Sequence, residues 1–68
     1  MAERLANRLK DRRTELGLTQ AELAERVGVT RKTVNTVENG VFTPSATLAI
    51  KLAAALELSV EKLFWIER

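Results

Sequence analysis

The stretch Thr19–Gly40, TQAELAERVGVTRKTVNTVENG, decides how this chain folds, because it reads as two short capped helices separated by a glycine. Thr19 is the first N-cap. Its hydroxyl can accept from the Glu22 backbone N–H while the Glu22 carboxylate reaches back to the Thr19 N–H, a capping box. Leu23 and Val27 lie four apart on one face, and Ala24 beside them carries almost no side chain. Gly28 supplies the positive φ that ends the helix. Val29 follows, Thr30 is the next N-cap, and Val34 and Val37 form an apolar pair three apart before Asn39-Gly40 stops the segment. A tight turn between two such helices fixes the angle between them.

Outward from this pair the chain continues as short helices. Ala2, Leu5, Ala6, Leu9 and Leu16 mark a stripe of helical period that predicts a first helix over about Ala2 to Leu16, ended by Gly17. After an irregular Val41–Pro44 connection, Ser45 caps a fourth helix running to about Leu56. Leu48, Leu52 and Leu56 share one of its faces, and Ala46, Ile50, Ala53 and Ala54 make another side apolar, so it is expected at the centre of the fold. Ser59 caps a fifth, Val60 to about Phe64, and the tail admits an extended conformation over Phe64–Glu67. The sequence therefore predicts one all-α domain over residues 1–68, with short connections.

Composition narrows the chemistry. With 68 residues the core must be small, and without cysteine or histidine there is neither a disulfide framework nor the usual set of metal ligands. No metal and no cofactor are expected. No apolar run approaches the roughly 20 residues that span a bilayer, and the N-terminus has no signal-peptide pattern, so a cytoplasmic location without membrane contact is the expectation. The formal charge of +2 is carried by residues 1–16, where Arg4, Arg8, Lys10, Arg12 and Arg13 face Glu3, Asp11 and Glu15. A catalytic role is unsupported: there is no Gly-rich phosphate loop and no paired carboxylate, and the chain is too small for a deep pocket.

Once Val34 and Val37 are assigned to the core, a rotation of about 100° per residue places the rest of the third helix. Lys32 and Asn39 fall opposite the core, Asn35 and Thr36 on either flank, and Arg31 and Glu38 at the boundary. A polar face of this kind is either solvated surface or a reading surface for base edges.

The joint pattern favours the second. From Leu18 through Pro44, LTQAELAERVGV, TRKTVNTVENG and the following F-x-P-S resemble the Cro/C1-type helix-turn-helix family, also called the XRE family. The likeness extends more weakly through LKDRRTELGLT before it and LAIKLAAALELSVEKLF after it. It implies a compact five-helix repressor-like DNA-binding domain, with the helix-turn-helix at about 19–39 and the third helix in the major groove of double-stranded DNA. Arg31, Lys32, Asn35 and Thr36 are then the candidate base readers. Arg and Lys suit guanine O6 and N7, Asn suits adenine, and a threonine methyl suits thymine. Lys32 stands where relatives often carry glutamine, which shifts preference toward guanine or phosphate.

Gln20 and Thr30, at the starts of two helices, are phosphate candidates because helix N-termini present free N–H groups. By resemblance Asn39, with the backbone of Val41, Phe42 and Thr43, grips phosphates from the loop. Val41 occupies a position where the family often has a basic residue, so one phosphate contact is expected to be missing. Arg13 falls on the apolar stripe of the first helix and needs a partner. In similar proteins that partner is a residue at the position of Glu38, so the two are expected to form a partly buried ion pair that holds the reading helix.

The run Leu63-Phe64-Trp65-Ile66 is more apolar surface than one small core covers. Either Leu63 and Phe64 close the core with Trp65 half exposed, or the tail builds a two-fold interface with the fourth helix. The second is preferred, with a dimerisation segment at about 60–67 and Ile50, Phe64, Trp65 and Ile66 at the interface. Two heads about 34 Å apart would read a palindrome. The leading expectation is thus a homodimeric transcriptional regulator, a repressor acting by operator occupancy. The alternative is an antitoxin-type module with a protein partner, a toxin or co-regulator, that also binds its own promoter.

Overall fold

Asn7 is where the expected first helix fails. Its side-chain oxygen accepts from the Leu9 backbone N–H at 2.9 Å, so it starts the helix from outside rather than extending it. In the computed structural model, which describes residues 3–68, the residues before it form a strand. The order is β1 (Arg4–Asn7), α1 (Leu9–Glu15), α2 (Gln20–Val27), α3 (Arg31–Glu38), α4 (Ala46–Ala55), α5 (Val60–Leu63) and β2 (Phe64–Glu67). β1 and β2 pair antiparallel, with Arg4 opposite Glu67 and Asn7 opposite Phe64. The fold is therefore five helices plus a two-stranded sheet rather than all-α, and the first helix begins at Leu9 rather than at Ala2, a residue outside those described. The cause lies in the tail. Phe, Trp and Ile favour extended backbone, and an extended segment needs a partner for its backbone groups. The RLAN segment supplies that partner.

The central helices form as their caps dictate. Thr19 closes both halves of its capping box, accepting from Glu22 N at 3.0 Å while Thr19 N donates to Glu22 Oε1 at 2.9 Å. These bonds from Thr19 hold the exposed Glu22 carboxyl below its usual 4.5. Thr30 accepts from Thr33 N and Ser45 from Leu48 N. Ser59 departs from expectation, since its side chain makes no capping bond and only its carbonyl receives the Lys62 and Leu63 N–H groups.

Gly28, at φ +76°, ends α2 with paired bonds from Val29 N to Ala24 O and from Gly28 N to Glu25 O. This Schellman closure turns the chain directly into the Thr30 cap. α4 ends through the same pair of bonds, Leu58 N to Ala53 O and Glu57 N to Ala54 O, but with Glu57 in the left-handed position at φ +59°.

Leu9, Leu23, Val34, Val37, Leu52, Leu56 and Leu63 are fully enclosed. They join α1 to α5 in one core, with Phe64 closing its end. Only one side of α4 faces it. Leu52 and Ala53 are buried whereas Ala46, Ile50 and Ala54 are exposed, so α4 is not the enclosed central helix expected from its composition.

Candidate nucleic-acid interface

The angle of α3 follows from its packing. Val34 and Val37 drop into the core beside Leu23 and Val27 of α2, and the opposite side of α3 stays in solvent. Arg31, Lys32, Asn35 and Asn39 are exposed on it. Thr36 is half-buried, and its hydroxyl donates to the Thr33 carbonyl at 3.0 Å. The placement of the charges is informative. A helix N-terminus already carries a partial positive charge, yet α3 has no acid in its first turn and begins with Arg31 and Lys32. That arrangement opposes helix formation by roughly 0.3–1 kcal/mol per charge. It concentrates positive potential where an anion can approach the free N–H groups.

Behind this face lies an ion-pair hub. Arg13 of α1 grips Glu38 with two parallel bonds, Nε to Oε2 and Nη2 to Oε1, both 3.0 Å. Its third nitrogen donates to the Leu18 carbonyl at 2.8 Å. The side chains are only 13% and 3% exposed, so the pair is structural in character and well satisfied. Gln20, considered above as a phosphate ligand, donates to Glu38 Oε1 at 3.2 Å. Its amide is thereby oriented by the hub, with one N–H still free to point elsewhere. Thr30 is exposed and shares a hydroxyl contact of 3.0 Å with Thr33.

The loop after α3 folds back on the helix. Thr36 O accepts from both Val41 N (2.9 Å) and Phe42 N (3.1 Å), and Gly40, at φ +74°, makes the turn. Val41, Phe42 and Thr43 are exposed beside Asn39.

The sheet sits against the far end of α3. Asn7 Nδ2 donates to the Val37 carbonyl at 3.1 Å and more weakly to that of Glu38 at 3.5 Å. A shallow cleft lined by Arg4, Asn7, Glu38, Asn39, Gly40 and Trp65 separates the two elements. On the sheet Arg4 pairs with Glu67, and Arg8 lies 5.1 Å from the Trp65 ring centroid. Phe64 must be removed from the expected interface residues: it is 6% exposed and belongs to the core of the single chain, because its side chain points inward from β2. Trp65 (37%), Ile66 (57%) and Ile50 (59%) remain exposed. The Asn7 contacts and the Gln20–Glu38 bond had no signal in residue spacing, since both depend on how helices and strands meet.

A helix-turn-helix family model matches residues 9–63, from the start of α1 to the end of α5. The chain belongs to the Cro/C1-type helix-turn-helix family. Among the family's curated members it is 41% identical over 63 residues to the uncharacterized HTH-type transcriptional regulator YgzD of Bacillus subtilis, covering 93% of this chain and 96% of YgzD. It is 38% identical over 56 residues to antitoxin HipB of Escherichia coli K12, spanning 82% of this chain but only 64% of HipB. Two solved family structures are similar. The restriction-modification controller protein C.AhdI of Aeromonas hydrophila matches at a TM-score of 0.78 with 40% identity, over 84% of this chain and 83% of that one. The P22 c2 repressor, crystallised with a synthetic operator, matches at 0.77 with 30% identity, over 79% and 82%. The family is one of DNA-binding transcription regulators. No helix among the described residues is long and apolar enough to cross a membrane.

Proposed function

We propose that the chain is a sequence-specific DNA-binding repressor that binds a palindromic operator as a homodimer, with α3 in the major groove. The observation that carries this reading is the exposed face of α3, which begins with two cations at an already positive helix end and is held from behind by the Arg13–Glu38 pair. Arg31, Lys32, Asn35 and Thr36 read base edges. The N-termini of α2 and α3 at Gln20 and Thr30, together with Asn39 and the exposed Val41–Thr43 loop, hold phosphates. One such head makes few contacts. Exposed Trp65, Ile66 and Ile50 supply apolar surface for a two-fold contact that would join two heads.

Selection of bound duplexes from a random pool at a stated salt concentration tests the reading. It predicts an enriched motif with two-fold symmetry and half-site centres about 10 base pairs apart. An asymmetric motif bound by a monomer would remove the dimer, and no enrichment would remove base reading. Similarity to HipB favours a second reading, a module that also binds a protein partner. Co-purification of the untagged chain with the product of a neighbouring gene would favour that reading.

A further inference from the structure

We infer that Asn7 is a positioning residue for DNA reading: it ties the sheet to the C-terminal end of α3 and so fixes how the reading face and its following loop are presented. The inference rests on the proposed role of α3. Helix carbonyls at a C-terminus lack partners within the helix and carry partial negative charge. α3 has no basic residue in its last turn to meet them. Gly40 N already donates to Val37 O at 3.1 Å, and the second donor to that carbonyl is the Asn7 amide, also at 3.1 Å. Glu38 is thus held twice. Its carboxylate is fixed by Arg13 and Gln20 from the helical side, and its carbonyl receives the weaker 3.5 Å contact from Asn7 on the sheet side. Immediately beyond lie Asn39 and the Val41–Thr43 loop, which are proposed to grip phosphates.

The two ends of the Asn7 amide do different work, which makes the role separable. The oxygen accepts from Leu9 N and starts α1, while the nitrogen donates to α3. Asn7→Asp keeps the acceptor and removes the donor, placing a carboxylate against carbonyl oxygens. Asn7→Ser keeps a neutral side-chain acceptor near the Leu9 N–H and is too short to reach α3.

The experiment compares the full chain with both variants. Amide exchange is followed at Asn39, Gly40 and Val41, which close the end of α3, and at Leu23, which reports on α2. Binding is measured to the duplex recovered by selection with the wild-type chain and to a scrambled duplex of equal length. The expected result is exchange at least tenfold faster at the end of α3 with Leu23 unchanged, and roughly tenfold weaker binding to the selected duplex, about 1.4 kcal/mol, with a smaller loss on the scrambled duplex, whose binding rests on phosphate contacts alone. Wild-type exchange, wild-type affinity, or equal loss on both duplexes in Asn7→Ser would overturn the assignment. Should Asn7→Asp fail to fold, Asn7→Ser decides alone. If the wild-type chain itself recovers no preferred duplex, the underlying DNA reading falls, an outcome distinct from failure of the Asn7 role.

Discussion

Removing either partner of the Arg13–Glu38 pair should destabilise the domain by an amount comparable to much of its total stability. With Glu38→Ala, the Arg13 guanidinium loses two bonds of 3.0 Å and keeps only the Leu18 carbonyl, in a site where its side chain is 13% exposed. With Arg13→Ala, a carboxylate that is 3% exposed keeps only the Gln20 amide. Stranding one charge of a buried pair costs about 3–5 kcal/mol. A domain of 68 residues has a total stability on the order of 3–10 kcal/mol. Each single variant should therefore lose roughly 12–40 °C in midpoint, or be largely unfolded. The double variant strands neither charge, so its loss should fall well short of the sum, with a coupling of at least about 2 kcal/mol. Urea titration followed by circular dichroism at 10 °C measures all four corners of the cycle. Additivity to within about 0.5 kcal/mol would refute the argument, because it would mean that neither charge depends on the other.

Three further outcomes follow from the same structure. Glu57→Gly should raise stability by about 0.5–1 kcal/mol in thermal denaturation, since it relieves a side chain held at φ +59° while giving back some chain entropy. Lys32→Ala should stabilise the fold by a few tenths of a kcal/mol by removing a cation from a helix N-terminus, yet change base preference at one position per half-site in a repeat selection. A uniform loss over all duplexes, with a shallower salt slope, would make Lys32 a phosphate contact instead. The Glu22 carboxyl is held below 4.5 by its bonds from Thr19, so the folded state binds its proton less readily than the unfolded state. Its contribution should be fully present above 4.5 and disappear as pH falls through the lower folded value. The stability difference between the wild-type chain and Glu22→Gln, measured by urea titration, should accordingly be flat near neutrality and shift in favour of the Gln variant in acid.

What residue spacing reveals here is what is local. The capping box at Thr19, the Thr30 and Ser45 caps, the glycine between α2 and α3, and the Val34–Val37 pair all act within a few residues, and each appears where its chemistry places it. The exposed side of α3 follows from the same arithmetic of helix rotation. β1 was illegible because Leu5 and Leu9, four apart, fit one helical stripe as well as a strand joined to a helix. Only the FWIE segment at the other end of the sequence decides between them. The inward direction of Phe64 is equally non-local: it is set by register with Asn7, a pairing that no local pattern encodes. Gln20 and Asn7 acquire their roles only where separate elements meet.

The sheet also sets an order of events. Arg4 and Glu67 lie 63 positions apart, and bringing such distant segments together from an open chain costs about 3–4 kcal/mol in loop entropy before any contact repays it. The helices form from near neighbours and draw the ends together first, so strand pairing belongs late in folding. By the same logic the strands should open before the helices in the native state, which amide exchange would show as lower protection in β1 and β2. Each such opening would withdraw the amide of Asn7 from Val37, which would make the last element to assemble a reversible latch on the end of α3.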